Sequence, residues 1–430
     1  MKRTLTVILV ASVMLMLAAG PVVAAGFRIP EAGAKAMGMG NAFVGMADNP
    51  SAIQFNPAGL TQVEGNQILT GVTSITTNTD YTDLSDNKSS AEEGNFLPPF
   101  FYYSNHLEGM GNGNWWLGMS VTAPFGLGTE WKVDSFNYVA TETLLEMVKL
   151  NPTMAYRAND QWSVGFGVDY YQVLEAGFKN DMSSTYLSAF AMTSTNFGRG
   201  IQELSGDATG FGFNVGAMYK ANENVTVGLA YRTGVSLDVD GNVDVLLKDV
   251  PGTPELTSFD ASTTVNLPAT AALGVNYQLA DSWQLNVDMD WTGWSAYDKL
   301  EVKNSAGTVL NSLVSEKDYE DVINYRFGVQ YDLNDSWALR GGFFMEPNPI
   351  PENTYDPRLP DGDRTGYVVG AGYSDGPWTV NFAYMYLTLD GGNIDSDAIA
   401  WITPPTTFQN VDGKYEGDIT LIGFDVGYAF

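Results

Sequence analysis

Few residues in this sequence could carry covalent chemistry. His106 is its one histidine and there is no cysteine, so a Ser-His hydrolase dyad would depend on a single imidazole. His106 falls near a predicted turn, where a solvated histidine is the ordinary state. The lack of cysteine removes disulfides, thiolate nucleophiles, lipoprotein anchoring and thiolate metal ligands together. Gly38-Met39-Gly40 and Gly109-Met110-Gly111 neither follow a strand nor open a βαβ unit, so a nucleotide-loop reading fails on context. Asp361 with Asp363, and Asp395 with Asp397, could attract calcium but lack a full ligand spacing. No metal, no cofactor and no enzymatic activity is therefore expected. Four arginines remain: Arg157, Arg232, Arg326 and Arg340 each fall on the polar face of a predicted strand. There a guanidinium can hold the carboxylate of a ligand or pair with a neighbouring acid, and at least one of the four is expected beside the N-terminal segment.

The elements that must position these groups are strands. From about Asn66 onward the chain repeats roughly ten residues of apolar/polar alternation, the period of a half-buried strand. Trp283, Leu285, Val287, Met289 and Trp291 share one face, with Gln284, Asn286, Asp288 and Asp290 on the other. Short turns alternate with long polar loops, and the turns are stereotyped. Trp115, Trp162, Trp283, Trp337 and Trp378 all stand at the same point of a hairpin, as a membrane-interface girdle requires. The polar face is rich in Gly, Asn, Asp and Thr rather than Lys and Glu, which suits a crowded lumen. About fourteen strands can be counted, an even number that lets a single-chain barrel close and satisfy every backbone group in lipid. The fold class predicted is all-β, a fourteen-stranded antiparallel transmembrane barrel. A formal charge of −29 excludes a nucleic-acid partner, and 44% hydrophobic with 13% aromatic residues excludes an acidic disordered chain.

Ahead of the strands, Lys2-Arg3, the apolar run Leu5 to Ala19 and Val22-Val23-Ala24 read as an export signal, residues 1–24, with a mature start at Ala25. Residues 25–60 are compact and rich in small side chains, and they close on Asn56-Pro57-Ala58-Gly59-Leu60. The start Ala25-Gly26-Phe27, the run Ala36-Met37-Gly38-Met39-Gly40, and Ala47-Asp48 leading to Asn56-Pro57-Ala58 resemble the N-terminal hatch of the FadL/TodX family. Members of that family are outer-membrane channels for long-chain fatty acids and aromatic hydrocarbons. Ala123-Pro124-Phe125-Gly126-Leu127-Gly128-Thr129-Glu130-Trp131 is similar to the family's third strand, whose inward kink opens a gap in the wall. Pro124, Gly126 and Gly128 supply a local reason for such a break. Leu267-Pro268-Ala269, Trp294-Ser295 and the Asn348-to-Asp361 loop also resemble family landmarks.

The resemblance implies a hatch over residues 25–60 plugging a barrel over residues 61–430, in the outer membrane of a Gram-negative-type bacterium. Its cargo would be hydrophobic small molecules taken up passively. Ligand contacts are expected at Phe27 and at two apolar loop stretches, Leu187, Phe190, Ala191 and Phe197 in one and Leu246 and Leu247 in the other. Gate residues are expected at Asn56, Pro57 and Ala58 of the hatch, filling the wall gap around Phe125, Gly126 and Gly128. A terminal Phe430 with Tyr428 two before it looks like the signal read by the barrel-assembly machinery. Outer-membrane lipid and lipopolysaccharide are the expected surroundings of a monomer. The competing readings are a water-filled porin for small polar solutes, and a barrel adhesin or enzyme.

Overall fold

A computed structural model describes residues 26–132, 136, 139, 141–182, 200–247, 256–305, 313–396 and 411–430. The expected export signal and the start at Ala25 lie outside these. The alternating stretches form fourteen antiparallel wall strands. They are β1 (Asn66–Asp83), β2 (Lys88–Ser90, Gly94–Phe96 and Pro99–His106), β3 (Trp115–Thr122 and Gly126–Glu130), β4 (Glu142–Arg157), β5 (Trp162–Met182) and β6 (Gly200–Asn222). Next come β7 (Val225–Arg232 and Val235–Leu247), β8 (Leu256–Leu267 and Thr270–Ala280), β9 (Trp283–Thr292 and Lys299–Asn304) and β10 (Leu313–Glu316 and Val322–Asp332). The series ends with β11 (Trp337–Glu346), β12 (Asp363–Asp375), β13 (Trp378–Ile394) and β14 (Gly413–Ala429). Pairing of β1 with β14, from Gln67 opposite Ala429 to Asp83 opposite Gly413, closes the barrel and removes both edges. No described helix is long and apolar enough to cross a membrane.

The tryptophans of the short turns do form one ring, and the register shows how. Each stands directly opposite a tyrosine of the next strand: Trp115 and Tyr156, Trp162 and Tyr219, and Trp283 and Tyr331 have ring centroids 4.6 Å apart. Trp337 and Tyr373 lie at 4.8 Å and Trp378 and Tyr428 at 4.6 Å. In the two remaining positions Tyr103 faces Ile68 and Tyr277 faces Val225. Every even-numbered strand thus places a tyrosine at this level, where an amphipathic ring gains from both lipid and water.

Several strands run further than the alternation was read to predict, β7 most of all. Val243 to Leu247 were expected in a loop; they extend β7, with Leu246 opposite both Leu256 and Ile201. Val239, Val243 and Val245 are buried while Asp238 and Asp240 are exposed, so the period-two signal continued past Leu237 and aspartates disguised it. Several walls also break at one level: β7 after Arg232, β8 after Leu267, β9 after Thr292 and β10 after Glu316. The breaks let Trp294 turn inward, where it is fully buried.

Inside the barrel, residues 26–63 pack against the inward faces of the strands. Two short helices, α1 (Ala34–Met37) and α2 (Ala52–Phe55), are followed by a 3₁₀ turn over Pro57–Gln62. Inward glycines make room for them. A Cβ on Gly165 would stand 2.5 Å from the Ala58 nitrogen, and one on Gly274 would stand 2.6 Å from the Gly45 nitrogen. Inward carboxylates then hold the main chain: Asp288 accepts from the amides of Phe43 and Val44 at 2.7 and 2.8 Å, and Asp425 from Ala34 at 2.7 Å.

Replacing Trp337 by Ala should weaken the girdle without touching the lumen. A loss of about 1–3 kcal/mol is expected, read as a lower urea midpoint for the barrel in phospholipid vesicles. An unchanged midpoint would show that the ring does not anchor the wall.

Candidate functional site

The third strand breaks where Pro124 and Gly126 predict. Trp115–Thr122 pairs with β2 and β4 on its two sides, but Gly126–Glu130 pairs with β4 alone. Across from it, the Gly94–Phe96 stretch of β2 pairs only with β1. The ladder is therefore open between β2 and β3. The opening is bounded below by the Phe101–Val121 pair and above by the Glu92 amide, which donates to the Glu130 carbonyl at 2.8 Å. Leu97-Pro98-Pro99 flanks it on the β2 side. Two consecutive prolines there can donate to no ladder, a signal that the third-strand motif drew attention away from.

Main chain from the N-terminal segment satisfies the broken strand. Arg28 and Phe125 form an antiparallel bridge: the Ile29 amide donates to the Pro124 carbonyl at 2.9 Å and the Gly126 amide to the Phe27 carbonyl at 3.1 Å. Phe27 is 6% exposed and sits among Phe125 (5.8 Å between ring centroids), Trp294 (4.9 Å) and Tyr297 (5.7 Å). Gly26 is fixed at its own end, its amide donating to Asp361 at 2.7 Å and its carbonyl accepting from Arg364 at 2.7 Å.

Asn56 is placed elsewhere than expected. Its amide nitrogen donates to the carbonyls of Val44 (3.0 Å) and Ala217 (3.2 Å), and its oxygen accepts from the Ala58 amide at 3.2 Å. That is the β6–β7 side of the lumen, where Gly216 and Gly228 leave room for it. Asn56, Pro57 and Ala58 thus dock the segment's end on β5 to β7, and residues 27–29, not Asn56, meet Phe125 and Gly126. The reason is geometric: a broken ladder needs a donor and an acceptor at strand spacing, which an extended main chain supplies and one side-chain amide does not.

A cavity of about 460 Å³ runs beside this bridge and through the opening in the wall. Its apolar lining includes Phe27, Ile29, Phe96, Leu97, Phe125, Leu127, Leu145, Leu387 and Leu421. It reaches Leu174, which is 55% exposed on the outside of β5. Gly126 and Gly128 line the passage, and a Cβ on Gly128 would stand 2.5 Å from the Phe96 ring. Leu359 and Pro360 close the cavity from the loop before β12. That loop is pinned by Asp356, which accepts from Lys317 at 2.8 Å and from Arg358 at 2.8 and 3.0 Å. Burial alone would raise the Asp356 carboxyl, but Arg358 and Lys317 outweigh it and hold the group below the usual carboxylate range.

None of the four arginines singled out from the sequence lines the cavity. They brace the N-terminal segment instead. Arg157 donates to the Thr61 carbonyl, Arg232 to those of Ile53 and Gln54 at 3.4 Å, and Arg326 to that of Gly40 at 3.4 Å. Arg340 packs on Gly38. Arg232 pairs with Asp169, and Arg326 with Asp290 and Glu346. The cavity's cations are Arg28 and Arg364, which sequence reading passed over because one lies off the strands and the other at a strand end. His106 stacks on Trp116, 4.2 Å between centroids, with a ring nitrogen 2.6 Å from the Gly113 carbonyl. Leu187, Phe190, Ala191 and Phe197 lie outside the described residues, as does Asp397; Leu246 is half-buried in β7, and Leu247 ends that strand.

The family model for outer membrane protein transport protein (OMPP1/FadL/TodX) matches residues 15–430. The chain belongs to this family. It is 26% identical over 432 residues to the long-chain fatty acid transport protein of Salmonella typhi, covering 94% of each chain. It is 26% identical over 458 residues to outer membrane protein P1 of Haemophilus influenzae, covering 97% of each. Among solved structures, a FadL homologue of Pseudomonas aeruginosa superposes with a TM-score of 0.80 at 20% identity, over 94% of this chain and 100% of that one. The toluene transporter TodX of P. putida superposes with a TM-score of 0.71 at 17% identity, over 93% and 98%. The FadL-family resemblance read from the hatch and third-strand motifs is thus matched along the chain, and the protein is an outer-membrane barrel.

Gly128→Val should fill the passage against Phe96 and stop hydrophobic uptake while the barrel still folds. The check is uptake of a radiolabelled long-chain alcohol by cells whose outer membrane shows the variant in its heat-modifiable, assembled form. Wild-type uptake by assembled Gly128→Val would contradict the assigned path.

Proposed function

We propose that this chain carries hydrophobic small molecules, such as long-chain fatty acids or hydrocarbons, passively inward across the outer membrane. The observation that carries the reading is the apolar cavity that begins at the buried Phe27 and passes through the wall between β2 and β3. A hydrophobic molecule following it would leave sideways into lipid and never face water, which suits a cargo whose aqueous solubility is the obstacle. In this reading residues 26–63 are the plug. The bridge from Phe27–Ile29 to Pro124–Gly126 is the closed gate, and cargo first lands near the outer end of β7, around Leu246. Asn56, Pro57 and Ala58 act as the plug's mooring.

The finer surroundings belong to the same proposal. The outward-facing Phe430, 58% exposed beside Tyr428, is available to the assembly machinery, and an acidic outer rim would meet lipopolysaccharide through divalent cations. A monomer suffices, since one chain closes its own barrel. An open aqueous porin fits poorly with a lumen in which Gly165, Gly274, Asp288, Asp425, Arg232 and Arg326 all meet the N-terminal segment.

Planar-bilayer recording separates the two. The plugged reading expects no large steady ionic current from the full-length protein, and a steady porin-sized current would overturn it. Deleting residues 27–55 should then bring conductance up, if the plug is what blocks ions.

A further inference from the structure

The cavity's charges are unusual for a path meant to pass a carboxylate. Its lining holds two arginines, Arg28 and Arg364, and four glutamates, Glu31, Glu92, Glu146 and Glu346. Arg364 pairs with Asp361 at 3.0 Å and donates to Gly26, while Arg28 donates to Thr292 at 3.3 Å and lies within the fields of Asp290, Glu346 and Glu31 and of the Arg326 cation. Lys132 meets Glu92 at the upper edge, 3.1 Å away, but also faces Glu130 at 3.5 Å.

At the outer mouth the arrangement is more pointed. Glu146 of β4 and Glu175 of β5 stand directly opposite each other in register, and both are exposed. Both ladders of β5 shift register here, by one extra residue at Leu174–Glu175, and bulges re-aim side chains at sites of use. Neither glutamate takes part in an ion pair among the described residues. Like charges directly opposite in a sheet are destabilising, so the pair is a cost to the wall that wall-building does not explain. At the inner end, burial first and the Glu346 charge second push the Glu31 carboxyl up to about 7, against the opposing charges of Arg326 and Arg364.

We propose that this path selects uncharged hydrophobic molecules over carboxylates of the same chain length, with Glu146, which lines the cavity, and Glu175 directly opposite it as the discriminating groups. The inference rests on the transport reading above and narrows its cargo. Repelling the wrong ligand is an ordinary way to build specificity, and an ionised carboxylate entering an apolar channel bears a desolvation cost that an alcohol does not.

The test is equilibrium binding of tritiated hexadecanol and palmitate to full-length protein in nanodiscs, with empty discs as background, at mildly alkaline pH where palmitate is ionised. Hexadecanol should bind more tightly by about tenfold or more, the scale of one uncompensated charge across a protein surface. Glu146→Gln combined with Glu175→Gln should shrink that ratio severalfold. Lowering the pH until palmitate protonates should close it in the wild type, which serves as the second measurement if the double variant does not assemble. Equal or tighter palmitate binding at alkaline pH would overturn the proposal, and an unchanged ratio in an assembled double variant would overturn the role of the pair. If neither ligand binds above empty discs, the transport reading itself fails.

Discussion

Everything in this barrel follows from the requirement that a strand broken inside a membrane must have its backbone groups satisfied by something. At Ala123–Phe125 the third strand leaves its ladder, and in lipid each unpaired amide or carbonyl would cost several kcal/mol. Two hydrogen bonds from Phe27 and Ile29 meet that demand. The same two bonds place Phe27 beside the cavity that runs through the break, so in the proposed reading one segment is both the repair of the wall and its stopper.

Holding the stopper in register explains the lumen. The segment from 26 to 63 is too short and too rich in glycine and alanine to keep a shape of its own, so the barrel imposes one. Carboxylates of β9 and β14 bind its amides, arginines of β4, β7 and β10 bind its carbonyls, and inward glycines admit its backbone. The buried ion pairs of Arg326 and Arg232 are best understood as positioning devices. Such pairs add little net stability, but removing one partner leaves an uncompensated charge and costs about 3–5 kcal/mol. The N-terminal end, beside the passage, is held by a different set: Asp361 and Arg364 of the β12 region, the bridge to Phe125 and the aromatic cluster around Phe27.

What was legible in the sequence was what repeats. Period-two alternation and the recurrent turn tryptophans specify strands, their number and the lipid-facing ring, because each signal is local and occurs many times. Pro124 with Gly126 marked the break for the same local reason. The partner of the break was not legible: Asn56 has the donors and acceptor to fill a gap, but which wall it reaches depends on where Gly216 and Gly228 stand, over 150 residues later in the chain. Val243 to Leu247 were taken for an apolar stretch on a loop because the aspartates at 238, 240 and 244 hid the alternation that carries the strand past Leu237. Arg28 and Arg364 were missed since neither sits within the regular alternation from which arginines were collected.

The account's central claim is that the seam between residues 27–29 and 124–126 must part for cargo to pass. Arg28 and Phe125 face each other as a non-hydrogen-bonded antiparallel pair, the closest spacing a sheet offers and one a disulfide can span. With no native cysteine to interfere, Arg28→Cys with Phe125→Cys gives a clean lock. Uptake of a labelled long-chain alcohol by cells carrying this variant should be abolished when oxidised and return on adding reductant. Undiminished uptake with the cross-link verified as formed would show that the seam stays closed during transport, and the account would be wrong.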